Sequence, residues 1–356
     1  MALYTASLAA GAGMGVPVDG LIMKSLPWRY IYWIGTALLG CVAILVIFTF
    51  PETEFDRASA MRAPSETVAV NRHTYDLKSE AGSGAVHIDD LPVQSHPPKR
   101  SYWSRLRIYS GILTKEPWWK LCVRPLVLIG LPPVLYATLV QSATIGFMVA
   151  ISSNFAVAMQ GAYGFAPWQS GLCFIGSVIG AAAGIIFGGY FSDWVADYFT
   201  RRNGGIREPE MRLPAILISN LMGPLALVLY GVGINNNLHW MVPTLGLSFL
   251  GFVLAQSMNV VLVYTIDSYR PIAGEITVCE LGYKSCFGFL LGFYTNNWIA
   301  ESGYATAFGT MAAICGGVIL FWIPLFFFGK RIRHVTWHWK FVRHLAHWDN
   351  DREVGE

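Results

Sequence analysis

Charge is scarce in this chain. Of its 356 residues, 13% are Asp, Glu, Lys or Arg, while 54% are hydrophobic. A soluble domain carries about 25% charged residues, and a chain this poor in charge cannot cover a water-facing surface. The composition excludes an ordinary soluble protein. Cys41, Cys122, Cys173, Cys279, Cys286 and Cys315 lie in or beside apolar runs and form no CxxC pair, which speaks against a disulfide or zinc framework. No Asn-x-Ser/Thr acceptor occurs, so glycosylation gives no clue to orientation. The net charge is only +3, and the basic residues fall in separate loops. That distribution offers no nucleic-acid-binding face. No histidine falls in the middle of an apolar run, so a histidine proton relay is not available, and no motif points to a cofactor.

What the chain does have is length in apolar runs. A transmembrane helix needs about 20 mostly apolar residues. Eight stretches qualify as candidates, near 4–23, 30–50, 124–150, 169–191, 213–233, 241–264, 276–298 and 304–329. The seventh is the weakest, because Glu280 and Lys284 lie within it. The first lacks a basic leader and runs straight into a second span, which reads as a span rather than a secretory signal. Thirty-six glycines and thirteen tryptophans suit closely packed helices with interfacial anchors. The expected fold class is an all-α membrane protein.

The polar segment 51–121 reads as a largely disordered linker. Near its end Tyr102, Trp103, Trp118 and Trp119 interleave with Arg105, Arg107, Lys115 and Lys120, a pattern that suits an interfacial helix. The resulting divisions are 1–50 (two helices), 51–121 (linker), 122–330 (six helices) and 331–356 (tail). Lysine and arginine concentrate in the linker, in the 192–212 loop and in the tail, and are absent from 152–168 and 234–240. By the positive-inside rule the linker and the C-terminus face the cytosol.

Several strings match a family. Pro27-Trp28-Arg29-Tyr30-Ile31-Tyr32-Trp33, followed by an apolar span and Pro51-Glu52-Thr53-Glu54-Phe55-Asp56-Arg57, resembles helix 6 of fungal drug:proton antiporter-type facilitators. Arg124-Pro125-Leu126, with Pro132 further on, is similar to their helix 7. The string from Arg201 to Pro214, Arg-Arg-Asn-Gly-Gly-Ile-Arg-Glu-Pro-Glu-Met-Arg-Leu-Pro, resembles the helix 8–9 loop of the branch that includes histidinol and polyamine permeases. The chain is thus identified as similar to the major facilitator superfamily. The resemblance implies two six-helix halves with substrate bound between them near midplane. It further implies that this chain supplies helices 5–12 and lacks the first four, as a truncated gene model or a shortened isoform would.

The resemblance also points to residues. Ala12 to Leu21 is a degraded copy of the antiporter motif GxxxGPxxGG, with Pro17 and Gly20 in place; close helix packing around a proline kink explains it as well. Gly189 and Asp193 match the superfamily loop signature, although Trp194 stands where that signature has arginine. The expected gating loop comprises Asp193, Arg201, Arg202, Arg207, Glu208, Glu210 and Arg212, with Glu208 and Glu210 available to pair with the loop arginines. Inside the spans, Glu280 and Lys284 form an i,i+4 acid–base pair, which reads either as a proton or substrate site or as a mutual ion pair. Asp19 is the other acid near a span. Tyr136, Gln141, Asn220, Gln256, Asn259, Tyr283, Tyr294, Asn296 and Asn297 are uncharged candidates for a cavity wall or for interhelical hydrogen bonds, and Pro132-Pro133 is expected to break its helix. In the tail, His334 and His338 have i,i+4 spacing, but an interfacial amphipathic helix fits them better than a metal site.

The leading functional expectation is a secondary, proton-coupled transporter of a small organic solute, with an organic cation, polyamine or drug as the class the resemblance brings. The alternative is a truncated, non-transporting or regulatory membrane paralogue. No enzyme chemistry is indicated, because histidine or carboxylate clusters at a membrane face are missing. The expected partners are the solute, protons and the lipid bilayer, in a monomer of the plasma membrane.

Overall fold

Helices form wherever the apolar runs were read, and glycines set how closely they pack. The computed structural model describes residues 2–49, 118–337 and 339. Of the expected linker 51–121, residues 51–117 with the Tyr102–Lys115 segment lie outside the described residues, as do His338, His344 and His347, while 118–121 begin a helix. The chain divides into two units, Met1–Ile31 with Glu116–Glu356, and Tyr32–Lys115. Of the second unit, the described part is the body of α2 (Arg29–Thr49).

The first unit is all helical among the described residues. It contains α1 (Ala2–Ser25), α3 (Trp118–Leu128), α4 (Pro132–Tyr163), α5 (Pro167–Cys173), α6 (Ile175–Ile186), α7 (Ser192–Arg202), α8 (Leu217–Asn235), α9 (Met241–Ser268), α10 (Ala273–Ser302), α11 (Tyr304–Leu320) and α12 (Trp322–Trp337). A π-helical turn, Phe187–Phe191, joins α6 to α7, and a 3-10 segment, Pro209–Ile216, leads into α8. Seven helical stretches are long and apolar enough to cross a membrane. They cover seven of the eight expected spans, and the 24-residue α1 covers the remaining one.

Proline and glycine explain where elements stop. Leu131 is extended, with φ −77° and ψ 120°, as the residue before a proline tends to be. Helix α3 therefore ends in a tight turn and α4 begins afresh at Pro132, so the expected break at Pro132-Pro133 is present. Helix α4 then runs past the expected boundary, through residues read as loop, to Gly164. That glycine has φ 67°, and its N–H donates to Gln160 O while Phe165 N–H donates to Met159 O. This left-handed cap ends the helix. The stretch 192–212 also holds less loop than expected, since α7 and the 3-10 segment occupy most of it.

Helix α9 is buried along most of its length and packs on α4, α6 and α8. Its approach to α6 depends on Gly176, Gly180, Gly184 and Gly188, spaced four apart. A Cβ at Gly180 would lie 1.9 Å from Ser248 O, and one at Gly184 would lie 2.4 Å from Phe252 O. On α9, a Cβ at Gly251 would lie 2.4 Å from Ser177 O. Small residues at this spacing let helix backbones meet in a membrane. The same device joins α1 to α5, where a Cβ at Gly171 would lie 3.1 Å from Val16 O, beside buried Pro17 and Gly20. The packing role thus accounts for the surviving residues of the degraded motif. Across the core, Phe155 lies 5.0 Å from Phe174 and 6.0 Å from Tyr230, and Tyr230 lies 4.7 Å from Phe308.

Candidate functional site

Polar groups at membrane depth need partners, and the partners chosen here separate two groups of residues. The first lies between α4 and α10, which pack along their lengths. Gly146 opens that contact, because a Cβ there would lie 2.6 Å from the Phe287 ring. Gln141 Nε2 donates to Glu280 Oε2 at 2.6 Å, and each residue is 1% exposed. Thirteen residues further along α4, about 20 Å at helical rise, Asn154 Nδ2 donates to Asn296 Oδ1 at 2.9 Å. One turn beyond Glu280, Lys284 is also buried, and its Nζ has no hydrogen-bond partner. Glu280 Oε1 is likewise unpartnered. The two charges form no ion pair, so the mutual-pair reading of Glu280 and Lys284 is not what the geometry shows. The acid is held by an amide from the facing helix instead.

The other expected cavity residues separate by burial. Tyr136 donates its hydroxyl to Ile319 O at 3.2 Å, which ties α4 to α11. Gln256 accepts from Ser219 Oγ at 2.7 Å and donates to Ala215 O at 3.1 Å, which fixes α9 against the start of α8. Asn259 is buried where Gly188 meets α9. Asn220 keeps a buried, unpartnered Oδ1, and Tyr283 packs beside Ile276 and Cys279. Tyr294 and Asn297 are exposed on α10, Asn296 is exposed at the edge of the α4 contact where it accepts from Asn154, and Asp19 is exposed on α1. The structure therefore brings Gln141, Glu280 and Lys284 together and leaves Asp19 and Tyr294 apart from them.

The second group is an ion network at the basic-loop end. Asp193 at the start of α7 meets Arg212 at 2.7 Å and Arg207 at 3.5 Å, and Arg207 also reaches Asp197 at 3.7 Å. Arg212 in turn lies 3.9 Å from Asp267 at the end of α9. Glu208 and Glu210 do not pair with the loop arginines. Lys330 of α12 meets Glu208 at 2.5 Å, and Arg333 donates through Nε and Nη2 to the two oxygens of Glu210, both at 3.1 Å. The reason is steric. Gly329 has no side chain, and a Cβ there would lie 2.7 Å from Glu210 Cγ, so α12 can approach the 3-10 segment closely. Arg202 stacks over the Tyr198 ring at 4.8 Å, and Arg201 is exposed.

Nearby, Arg124 pairs with Glu275 at 3.1 Å across α3 and α10. Tyr269, between α9 and α10, shares a hydrogen bond with Thr336 at 3.1 Å. Burial pushes its phenol up to about 12, which keeps it a neutral hydroxyl at physiological pH. Lys330 and Arg333 were visible in the sequence as basic residues just after the expected span 304–329 but carried no sign of their partners. Among the described residues, no cluster of His, Cys, Asp and Glu is suited to a metal ion.

The sequence model of the Major Facilitator Superfamily matches residues 1–276. The chain belongs to the Major Facilitator Superfamily. It is accordingly a multi-pass integral membrane protein, of a family of transporters rather than enzymes. It is similar to several fungal proteins. It is 27% identical, over 94% of its length, to an uncharacterized MFS-type transporter of Schizosaccharomyces pombe. It is 24% identical over 95% to protein HOL1 of Saccharomyces cerevisiae, and 25% identical over 94% to efflux pump FUB11 of Gibberella fujikuroi. The chain spans 62%, 66% and 53% of the length of these three relatives. No solved structure matches it.

Proposed function

We propose that this chain is part of a secondary active transporter that moves a small organic solute by proton-coupled alternating access. The supporting observation is the buried Gln141–Glu280 contact between α4 and α10, in a chain whose relatives include transporters and an efflux pump. An intramembrane carboxylate held by a neutral amide, with one oxygen unpartnered, can take up or release a proton without breaking its helix contact. Glu280 is the proton-carrying residue in this reading. The network of Asp193, Arg207, Arg212 and Asp267 is the gate, because it ties α7, the 3-10 segment and α9 at one end of the bundle and must rearrange if that end opens. In the plasma membrane that end, with the linker and the tail, faces the cytosol, and the protein works as a monomer of the drug:proton antiporter-type branch.

Membrane vesicles containing the chain test this. A pH gradient should drive solute flux, and Glu280→Gln should leave insertion intact while removing the dependence on the gradient. Unchanged gradient dependence in that variant would reject Glu280 as the proton site. An absence of flux from vesicles holding folded protein would favour the non-transporting alternative.

A further inference from the structure

A groove of about 450 Å³ runs between α4 and α10, and Lys284 stands in its wall. Ile145 and Val149 form one side, while Ser285, Phe289 and Phe293 form the other. The groove exists because Gly288 and Gly292 leave side-chain-sized space facing Val149. Its volume falls within the range of about 300–1,000 Å³ usual for small-molecule sites. The lining is apolar and aromatic, with Phe289 and Phe293 rings 4.8 Å apart. It contains no carboxylate.

Lys284 is 5% exposed and its Nζ bonds to nothing. A buried amine left without a hydrogen bond is costly unless something supplies the acceptor. The nearest acid on its own helix, Glu280, is engaged by Gln141 from the facing helix. No ion pair joins the two side chains, and the groove is the open side from which an acceptor can reach the amine. One amine at one edge of an apolar slot calls for a single negative charge on an apolar body. Aromatic walls favour a flat body, since rings offset-stack on phenylalanine.

We infer that Lys284 is the counter-ion of a site for an apolar monocarboxylate, and that such an anion, rather than an organic cation, is the solute. This inference rests on the transporter reading above. A cation would leave the Lys284 amine unpartnered and would add a like charge beside it.

The test is direct binding to the full chain in nanodiscs of phosphatidylcholine, with three probes of one shape: 2-naphthoate, 2-naphthalenemethanol and 2-naphthylmethylammonium. The carboxylate should bind at least about tenfold tighter than the alcohol, the scale of one charge-assisted hydrogen bond, and the ammonium should bind more weakly still. Lys284→Met should erase the preference of carboxylate over alcohol, and Lys284→Arg should keep it. Equal binding of the three probes by the wild-type protein, which needs no variant, would overturn the inference, as would a preference for the ammonium. Displacement of 2-naphthoate by phosphatidylglycerol in the disc would assign the groove to a lipid anion and overturn the solute assignment. Vesicle flux separates the two proposals. Carboxylate preference without flux removes the transporter reading and leaves the site, whereas flux with ammonium preference does the reverse.

Discussion

Replacing Gly180 by alanine should loosen the bundle at its centre. The added Cβ would lie 1.9 Å from Ser248 O and 3.2 Å from Phe252 N, both backbone atoms of α9 that cannot rotate away. Carbon contacts settle near 3.5–4.0 Å, so α6 and α9 must part by about 1.5 Å at this point. Overpacking of this kind costs about 1–3 kcal/mol, and the absence of a flexible neighbour puts this site at the upper end, about 3. Alanine recovers about 1 kcal/mol through its better helix propensity. The net loss is about 2 kcal/mol, or a fall of about 4–8 °C in melting temperature for a body of this size. The assay is a melting curve of detergent-solubilised protein, followed by loss of the monodisperse peak in size-exclusion chromatography. Gly282→Ala is the matched control. Gly282 lies in α10 with nothing within 4 Å of its Cβ position, so propensity acts alone and the protein should melt no lower than wild type. A Gly180→Ala protein as stable as the Gly282→Ala protein would refute the close-approach argument.

Three further outcomes follow from the site. Arg333→Ala should destabilise by about 3–5 kcal/mol, because it strands a nearly buried Glu210 carboxylate. Replacing both Glu210 and Arg333 with methionine should recover most of that loss, and a double-mutant cycle on melting curves would show the coupling. Asp193→Asn weakens the contacts to Arg207 and Arg212 and should change protease accessibility of the 203–208 loop without preventing insertion; identical digestion patterns would count against the gate. Glu280→Gln should keep the Gln141 contact, since an amide oxygen still accepts, while gradient-driven flux falls to the passive level in a vesicle assay.

The helices were legible because their apolar runs are long and their stops are prolines and glycines. Pro132 marked a break, and that signal is local; the cap at Gly164 was not read from the sequence, where the span was expected to end near residue 150. Boundaries failed where a helix ran on past polar residues: the triplet Ser152-Ser153-Asn154 was read as the end of a span and the polar stretch 192–202 as loop, although the backbone hydrogen bonds continue through both. The four-residue glycine spacing of α6 was present in the sequence, yet only its partner helix gives it meaning. At the site, the acid–base spacing of Glu280 and Lys284 was plain. That Gln141 would take the acid lay outside the reach of the sequence, because 139 residues separate the two. Glu210 and Arg333 make the same point, being joined by the absence of a side chain at Gly329.

The distance between Glu210 and Arg333 along the chain also sets an order of events during synthesis. The partner of the Glu210 carboxylate is made 123 residues later, about 6–25 s at ordinary elongation rates. Throughout that interval α8 to α11 must emerge beside a carboxylate that has no place in a finished core. Helix α12 is therefore what completes the basic-loop end, and a chain released before residue 333 would hold an open charge where the longer chain holds a paired one.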